Sequence, residues 1–452
     1  MIAMLRKKLF SLLIISMIIL PLWYYFLVEQ EKKSPPENTF NLLIGNASIE
    51  IIASEIVNDY ARQKTQIFSG VFDENTNRTF IVYSAGKNGS LSACAPLIVY
   101  YDHNHKKWSH SVQIASSPVK PDSHNYPQLI IDKDGYLHVF HSYHGNHPIL
   151  HAKSVKTGEI DDWTYFDLPD SEEATYGATF YDSKGNIFIL ARMWDRYDPI
   201  HESEYLWKST DQGFTWEKHR LIDPVPVDDG WGTIYTKSVR YQKIGASEGL
   251  HITFGLHKNH NEYFDDHFYV YFSFSDEMLY NANGSLIGLN ITRTEFEDKC
   301  KIFGYNREMS FFNTRMATFR SSNNTLNTFF NREIEDETQI LERAQFIDGS
   351  WQKTQFPDLI GVRPFEVYED GNGDTNLLAF KWGRRLFRYV FNQTSLTHEE
   401  LLLEVETDDL GLDHLNFIAN VKEGIMGTMI LGDDANWREP SFNGYLLFFK
   451  LN

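Results

Sequence analysis

Cysteine is nearly missing from this chain: 452 residues include only Cys94 and Cys300. Two cysteines define no disulfide framework, and one bridge or two free thiols are both open. Positive charge is scarce as well, with 42 Lys and Arg against 61 Asp and Glu, a net charge of -19. No basic stripe is visible to displace counterions from phosphates, which excludes nucleic acid as a partner. A polyanionic ligand would therefore need a locally basic pocket on an otherwise acidic, solubilising surface. Residues 60–452 contain no linker rich in Pro, Gly and Ser, so they read as one domain. No alternation of strands with long helices appears, which argues against a Rossmann fold or an α/β barrel.

Long hydrophobic runs are limited to one, from Leu9 to Val28, preceded by Arg6-Lys7-Lys8. Its length matches the ~20 apolar residues that span a bilayer, and the basic flank predicts a cytoplasmic N-terminus. Residues 1–8 are then a short cytoplasmic segment, 9–28 a single-pass signal-anchor helix, and 29–59 a stalk and lead-in to a domain held outside. Secretion after signal cleavage is the rival, but Tyr24-Tyr25-Phe26-Leu27-Val28 offers no small-residue cleavage site. No Cys follows closely, as a lipoprotein would need. Seven Asn-x-Ser/Thr sequons, at Asn46, Asn77, Asn88, Asn283, Asn290, Asn323 and Asn392, fit an exported glycoprotein wherever the host glycosylates.

What is present is turn and strand signal. Ser209-Thr-Asp-Gln-Gly-Phe-Thr-Trp216 places Asp and Gly where a tight turn needs a backbone cap and a positive φ. Thr215 and Trp216 then re-enter a strand, with the indole directed between sheets. The pattern resembles the Asp-box, or BNR repeat, of sialidase-type β-propellers. Two neighbouring segments, Pro127–His141 and Gly177–Ala191, each read as an apolar strand, an Asp-x-x-Gly turn and a second apolar strand. Weaker copies begin near Gly70, Lys237, Met316, Val362 and Phe417. Spacings of roughly 40–60 residues fit four-stranded blades. The aromatic share of 15%, from 33 Phe, 24 Tyr and 10 Trp, suits short strands packed face to face. The expected fold is all-β, a seven-bladed β-propeller over residues 60–452.

Histidine is over-supplied locally. Six of the 17 fall between positions 124 and 151. His138 and His151 sit mid-strand and read as satisfied sheet residues. His124 and Asn125 precede a first strand and His144 follows a second strand, positions that share one end of a propeller. The next repeat presents Tyr176 before its first strand and Arg192 at the end of its second. Tyr176 as a packing residue and Arg192 as an ion-pair partner of Asp195 are the structural alternatives.

His124-Asn125, His144, Tyr176-Gly177 and Arg192, in that order and spacing, resemble the active-site set of the propeller polysaccharide lyases that degrade ulvan. The resemblance covers roughly residues 60–300; beyond it the likeness is only blade-like, and the apolar N-terminus departs from the usual secreted form. It implies β-elimination on a uronic acid. Arg192 would neutralise the carboxylate, since a guanidinium stays charged and grips it in bidentate fashion. His124 would take the C5 proton and Tyr176 would protonate the departing O4, or Tyr176 would do both. Asn125 and His144 would bind the carboxylate or orient His124. Tyr235, His251 and His257, around the following repeat, are expected as further substrate contacts, with ordinary strand chemistry as the alternative reading.

No metal is required by that scheme. His257, His260, His267 and Cys300 nevertheless have the ligand types for a structural zinc, although their spacing fits no standard motif; a structural calcium is also open. Two rival functions belong to other classes. A glycoside hydrolase of the Asp-box type would need paired carboxyl groups at the mouth, and a sialidase three arginines; the expected rim offers His, Tyr and one Arg. A non-catalytic glycan-binding propeller would keep the aromatics and the arginine without needing both His124 and Tyr176.

Overall fold

The computed structural model describes residues 42–44, 49–58, 70–87, 90–115, 127–142, 147–195, 198–226, 232–257, 266–304, 316–333, 338–381, 385–392, 395–405, 410–417, 425–432 and 443–451. In 42–58, 84–94, 195–200, 333 and from 405 onward, the description is of backbone alone. Residues 42–452 form one compact unit. The fold is all-β, and a single helix, Arg293–Lys299, occurs among the described residues. None of those residues belongs to a helix long and apolar enough to cross a membrane; the apolar run Leu9–Val28 lies outside them.

Antiparallel meanders follow one another along the chain. The first uses Gly70–Asp73, Arg78–Lys87 and Ser90–Asp102, edged by two short strands; the second uses Pro127–Ile131, Leu137–His141, Leu150–Ser154 and Trp163–Asp167. The third runs Ala174–Tyr181, Ile187–Asp195, Asp198–Ser209 and Glu217–Asp223, and the fourth Gly232–Ile244, Ser247–His257 and Asp266–Ser273 with short outer partners. A parallel contact, His201 to Gly232 and Glu202 to Thr233, joins these two into an 11-stranded sheet. A fifth meander begins at Met316 and a sixth at Val362. The last begins at Leu410, and its fourth strand is Ile49–Asn58, paired with Asn443–Leu451. Leu42–Ile44 likewise pairs on the edge of the sixth, with Leu403–Val405. Leu42–Ile44 and Ile49–Asn58, read from sequence as lead-in, are thus sheet strands. The starts at Gly70, Met316 and Val362 fall where the sequence placed them; those at Gly232 and Leu410 come earlier than Lys237 and Phe417.

Each turn is set by a short polar code. Asp132 Oδ1 accepts the backbone N–H of Asp134 and Tyr136 at 3.0 and 2.9 Å. Asp182 does the same for Lys184 and Asn186, at 2.9 and 2.8 Å. In the Asp-box, Asp211 Oδ1 accepts from Phe214 N and Thr215 N at 3.1 and 2.8 Å, and Ser209 Oγ accepts from Gly213 N at 2.8 Å. Gly213 needs its φ of +87° and the absence of a side chain, because a Cβ there would lie 2.3 Å from His151 Cε1. Trp216 is half-buried and meets Phe140 and His151 edge-on at 5.9 and 6.0 Å.

The core lies between meanders. On the strand Ile187–Asp195, Ile187, Ile189, Ala191 and Met193 pack against Ile130, Phe140 and Ile149 of the second meander. The alternate residues Phe188 and Leu190 pack against Ile234, Leu250 and Ile252 of the fourth. Both faces are buried, so the strand reads as a continuous apolar run. Burial of each such side chain contributes about 1.5–3 kcal/mol. The helix Arg293–Lys299, started by a Thr292/Glu295 capping box, adds Phe296 to the same cluster.

Candidate active site

The face of Ile187–Asp195 that turns toward the fourth meander changes character along its length. After Phe188 and Leu190 comes Arg192, still buried, and then Trp194, 41% exposed. An arginine therefore caps an apolar core at the end of the cleft between two sheets. Its guanidinium carbon stands 4.7 Å from the centre of the Tyr176 ring and 4.3 Å from that of Tyr235. The two rings are themselves 6.3 Å apart. The cation is held between tyrosines from two different meanders, in cation–π contact with both.

A β-bulge aims Tyr176. Thr175 pairs with Arg192 and Ala178 with Leu190, leaving Tyr176 and Gly177 opposite a single residue. Tyr176 takes a φ of +56°, which a bulky aromatic residue adopts only when its surroundings impose it. A second bulge follows in the fourth meander, where Thr236 pairs with Phe254 and Ser238 with Thr253, so that Lys237 is the extra residue of the bulge. Two successive first strands are thus bent to redirect a side chain beside the same arginine.

Buried carboxyl groups stand behind Arg192. Glu202 Oε2 lies 3.2 Å from Arg192 Nη1. Burial opposes the arginine's charge, but Glu202 and the tyrosines Tyr235 and Tyr176 outweigh it and hold the guanidinium more basic than usual. Glu204, the cross-strand partner of Arg192, is almost wholly buried, and burial pushes its carboxyl up to about 8 despite Thr236 and Arg192. It is a neutral acid at neutral pH. Lys237, though part of its surface reaches solvent, is enclosed enough that burial, with Arg192 second, pulls its ammonium down to about 7. Its Nζ stands 5.6 Å from the Tyr235 ring centre. Arg192 Nε, Glu204 Oε2 and Thr233 Oγ1 are buried without a hydrogen-bond partner among the described residues, a concentration of unmet polar atoms typical of a site that receives a ligand or water.

The structure brings together three of the residues singled out in the sequence, Tyr176, Arg192 and Tyr235, and sets His257 6.2 Å from Tyr235, ring to ring. His124, Asn125 and His144 lie outside the described residues. His251 does not join the group. It sits six positions before His257 on one strand, about 20 Å away at strand rise, buried and hydrogen-bonded through Nδ1 to Tyr269 Oη at 2.6 Å. It is a satisfied core histidine, as His138 is: His138 bonds His151 at 2.9 Å and Asp132 at 3.1 Å. Arg192 pairs with Glu202; the Asp195 side chain lies outside what the structure describes. Cys300 packs in the apolar cluster with Phe296, and His260 lies outside the described residues, among which no three His, Cys, Asp or Glu side chains could hold a metal.

Sequence reasoning missed Glu202 and Glu204. Their signal is two acidic residues at i and i+2 just before Tyr205-Leu206-Trp207, on a strand otherwise buried. It becomes legible only once the register opposite Arg192 is known.

The sequence pattern of the BNR repeat-containing family matches residues 78–359. The chain belongs to this family. Among curated relatives, the ulvan lyase of Alteromonas sp. (strain LOR) is 24% identical over 262 residues, 49% of this chain and 50% of that protein. An ulvan lyase of Pseudoalteromonas sp. (strain PLSV) is 23% identical over 255 residues, 49% of each. The chain thus matches about half the length of these relatives. A solved ulvan lyase structure, bound to -[GlcA(1-4)Rha3S]-, shares the fold with a TM-score of 0.64 at 15% identity, covering 87% of this chain and 96% of that one.

Proposed function

We propose that this BNR-family chain is a polysaccharide lyase that cleaves a sulfated, ulvan-like uronate glycan by β-elimination. The observation that carries the proposal is the buried Arg192 held between Tyr176 and Tyr235. In the reaction a base removes the C5 proton, its electron pair forms the C4=C5 bond, the C4–O4 bond breaks, and the leaving O4 takes a proton. The barrier is the charge that develops on the uronate carboxylate, and a cation beside it lowers that barrier. Arg192 fills that role, with Glu202 and Glu204 holding the guanidinium from behind. Tyr176, beside Arg192, moves a proton; His124 is proposed as the base that takes the C5 proton, with Asn125 and His144 binding the carboxylate or orienting His124. Tyr235 and His257 contact the substrate. The ulvan lyase relatives support the substrate class.

We further propose that the meanders are the blades of a seven-bladed propeller. Support comes from the pairing of N-terminal strand Ile49–Asn58 into the last meander and its contact with Arg78–Lys87 of the first. Leu9–Val28, by its length and basic flank, is proposed to anchor the domain outside the cytoplasm. A mature protein whose mass shows an N-terminus after Val28 would overturn that anchor.

Hydrolysis is less well supported. The carboxyl pair that it requires is present as Glu202 and Glu204, but both are buried, one in an ion pair with Arg192. The decisive assay incubates the full chain with ulvan, heparan-type and pectic polymers and follows ultraviolet absorbance of the conjugated C4=C5 uronate. Reducing ends without that absorbance would point to hydrolysis, and neither product to a binding propeller.

A further inference from the structure

Among the described residues, three large aromatic side chains are conspicuously exposed: Phe214, Tyr165 and Trp194, at 62%, 51% and 41%. Single exposed apolar residues are ordinary on protein surfaces. Trp194 is set apart by its place. It continues the row Phe188, Leu190, Arg192 along one strand face, and the regular pairing of Arg192 with Glu204 and of Trp194 with Glu202 keeps both residues on that face. Tyr165 and Phe214 belong to the second meander's outer strand and to the Asp-box turn, away from Arg192.

Along the row the environment runs from closed core, to buried cation, to open indole. We propose that Trp194 is the platform of a glycan subsite, on which the pyranose ring next to the uronate held by Arg192 stacks. Two residues of strand span about 6.6 Å, a length comparable with one sugar unit, so a chain whose carboxylate meets Arg192 lays its neighbouring ring over Trp194. The C–H bonds of a pyranose face are weakly positive and meet the negative face of the indole. The contact needs no charge, which suits a neutral ring face whose anionic groups are directed elsewhere. Binding here lowers the concentration of polymer needed for half-maximal rate and leaves the proton transfers at the neighbouring sugar alone.

This inference rests on the glycan reading of the site, but not on elimination as its chemistry. The test uses the full chain with ulvan oligosaccharides of two and four or more sugars. Trp194→Ala is expected to raise KM for the longer oligosaccharide about tenfold with little change in kcat, while Trp194→Phe, which keeps a ring, loses much less. The longer oligosaccharide should shift the tryptophan fluorescence of the parent, and Trp194→Phe should abolish that shift; melting temperatures of both variants should match the parent, since the indole is solvent-facing. An unchanged KM in Trp194→Ala, or a fluorescence shift that persists in Trp194→Phe, overturns the platform. If the parent forms no unsaturated ends yet shows the Trp194-dependent shift, elimination fails and the subsite stands. If no oligosaccharide produces a shift, the subsite falls whatever the activity.

Discussion

Arg192 is where charge, burial and the proposed chemistry meet, and its replacement separates them. Arg192→Ala removes the proposed carboxylate neutraliser, so kcat on ulvan should fall by about 10²–10³-fold, the loss typical of one donor to a developing oxyanion. Tyr176→Phe keeps the ring over the guanidinium and removes only the hydroxyl; kcat should collapse while oligosaccharide affinity is retained, measured by calorimetry. Near-normal turnover in Tyr176→Phe would remove that residue from the proton-transfer role. A lysine at 192 should not rescue, since it cannot reproduce the planar fork between two rings.

Glu204 makes a separate prediction at the same scale. Its carboxyl ionises at about 8 in the fold, against an ordinary value of 4.5. Between those values the unfolded chain binds fewer protons than the native one, so this residue's contribution is full below the lower value and lost as pH rises through the upper. Buried His141 and His251, with imidazoles pulled down to about 3 by burial, act in the opposite direction as pH falls below their ordinary 6.5. They are silent above it. Lys237, whose ammonium is pulled down to about 7 by burial, adds an upward slope above pH 7 that both proteins share, so from pH 6.5 to 8 the parent should lose stability to urea relative to Glu204→Gln. Equal slopes for the two proteins would show that Glu204 is ionised in the fold.

Among elements, the Asp-box turn and the first-strand bulge do different work. The turn is structural: Asp211 and Ser209 satisfy the backbone, and Gly213 lets the loop close over His151, whose ring stacks at 4.5 Å on Phe140. Gly213→Ala adds a methyl group against that ring at a φ suited to glycine, and should destabilise by about 1–3 kcal/mol in thermal or urea unfolding without changing KM. A variant as stable as the parent would mean that the His151 ring can swing aside. The bulge belongs to the proposed site: regular pairing is broken at Thr175–Ala178, and Tyr176 comes across to Arg192. The turn is written in the sequence as an eight-residue code. The bulge has no code beyond Tyr-Gly, because a bulge is a relation between two strands.

For the molecule as a whole, the pairing of N-terminal with C-terminal strands matters most. Asn443–Leu451 lies between Ile425–Gly432 and Ile49–Asn58. A chain beginning at residue 42 keeps both N-terminal strands and should remain soluble and fold cooperatively. A chain beginning at residue 60 leaves that C-terminal strand as an open edge, and should aggregate or melt well below the longer version, by scattering and calorimetry. Equal melting points for the two would show that Ile49–Asn58 is dispensable.

The sequence by itself determined the all-β class, the repeat and most of its starting points, because turn residues and apolar strands are local and each carries its own signal. It also marked Tyr176, Arg192, Tyr235 and His257, since polar residues at strand ends stand out against apolar runs. It misplaced His251, whose strand position looks the same whether the side chain meets a cleft or a Tyr269 hydroxyl. It did not single out Glu202, which meets Arg192 from across the hairpin. Which carboxyl meets the guanidinium, that Glu204 keeps its proton, and that Trp194 opens where Arg192 closes depend on register and on the neighbouring sheet. Those are properties of pairs of strands, and only the tertiary structure decides them.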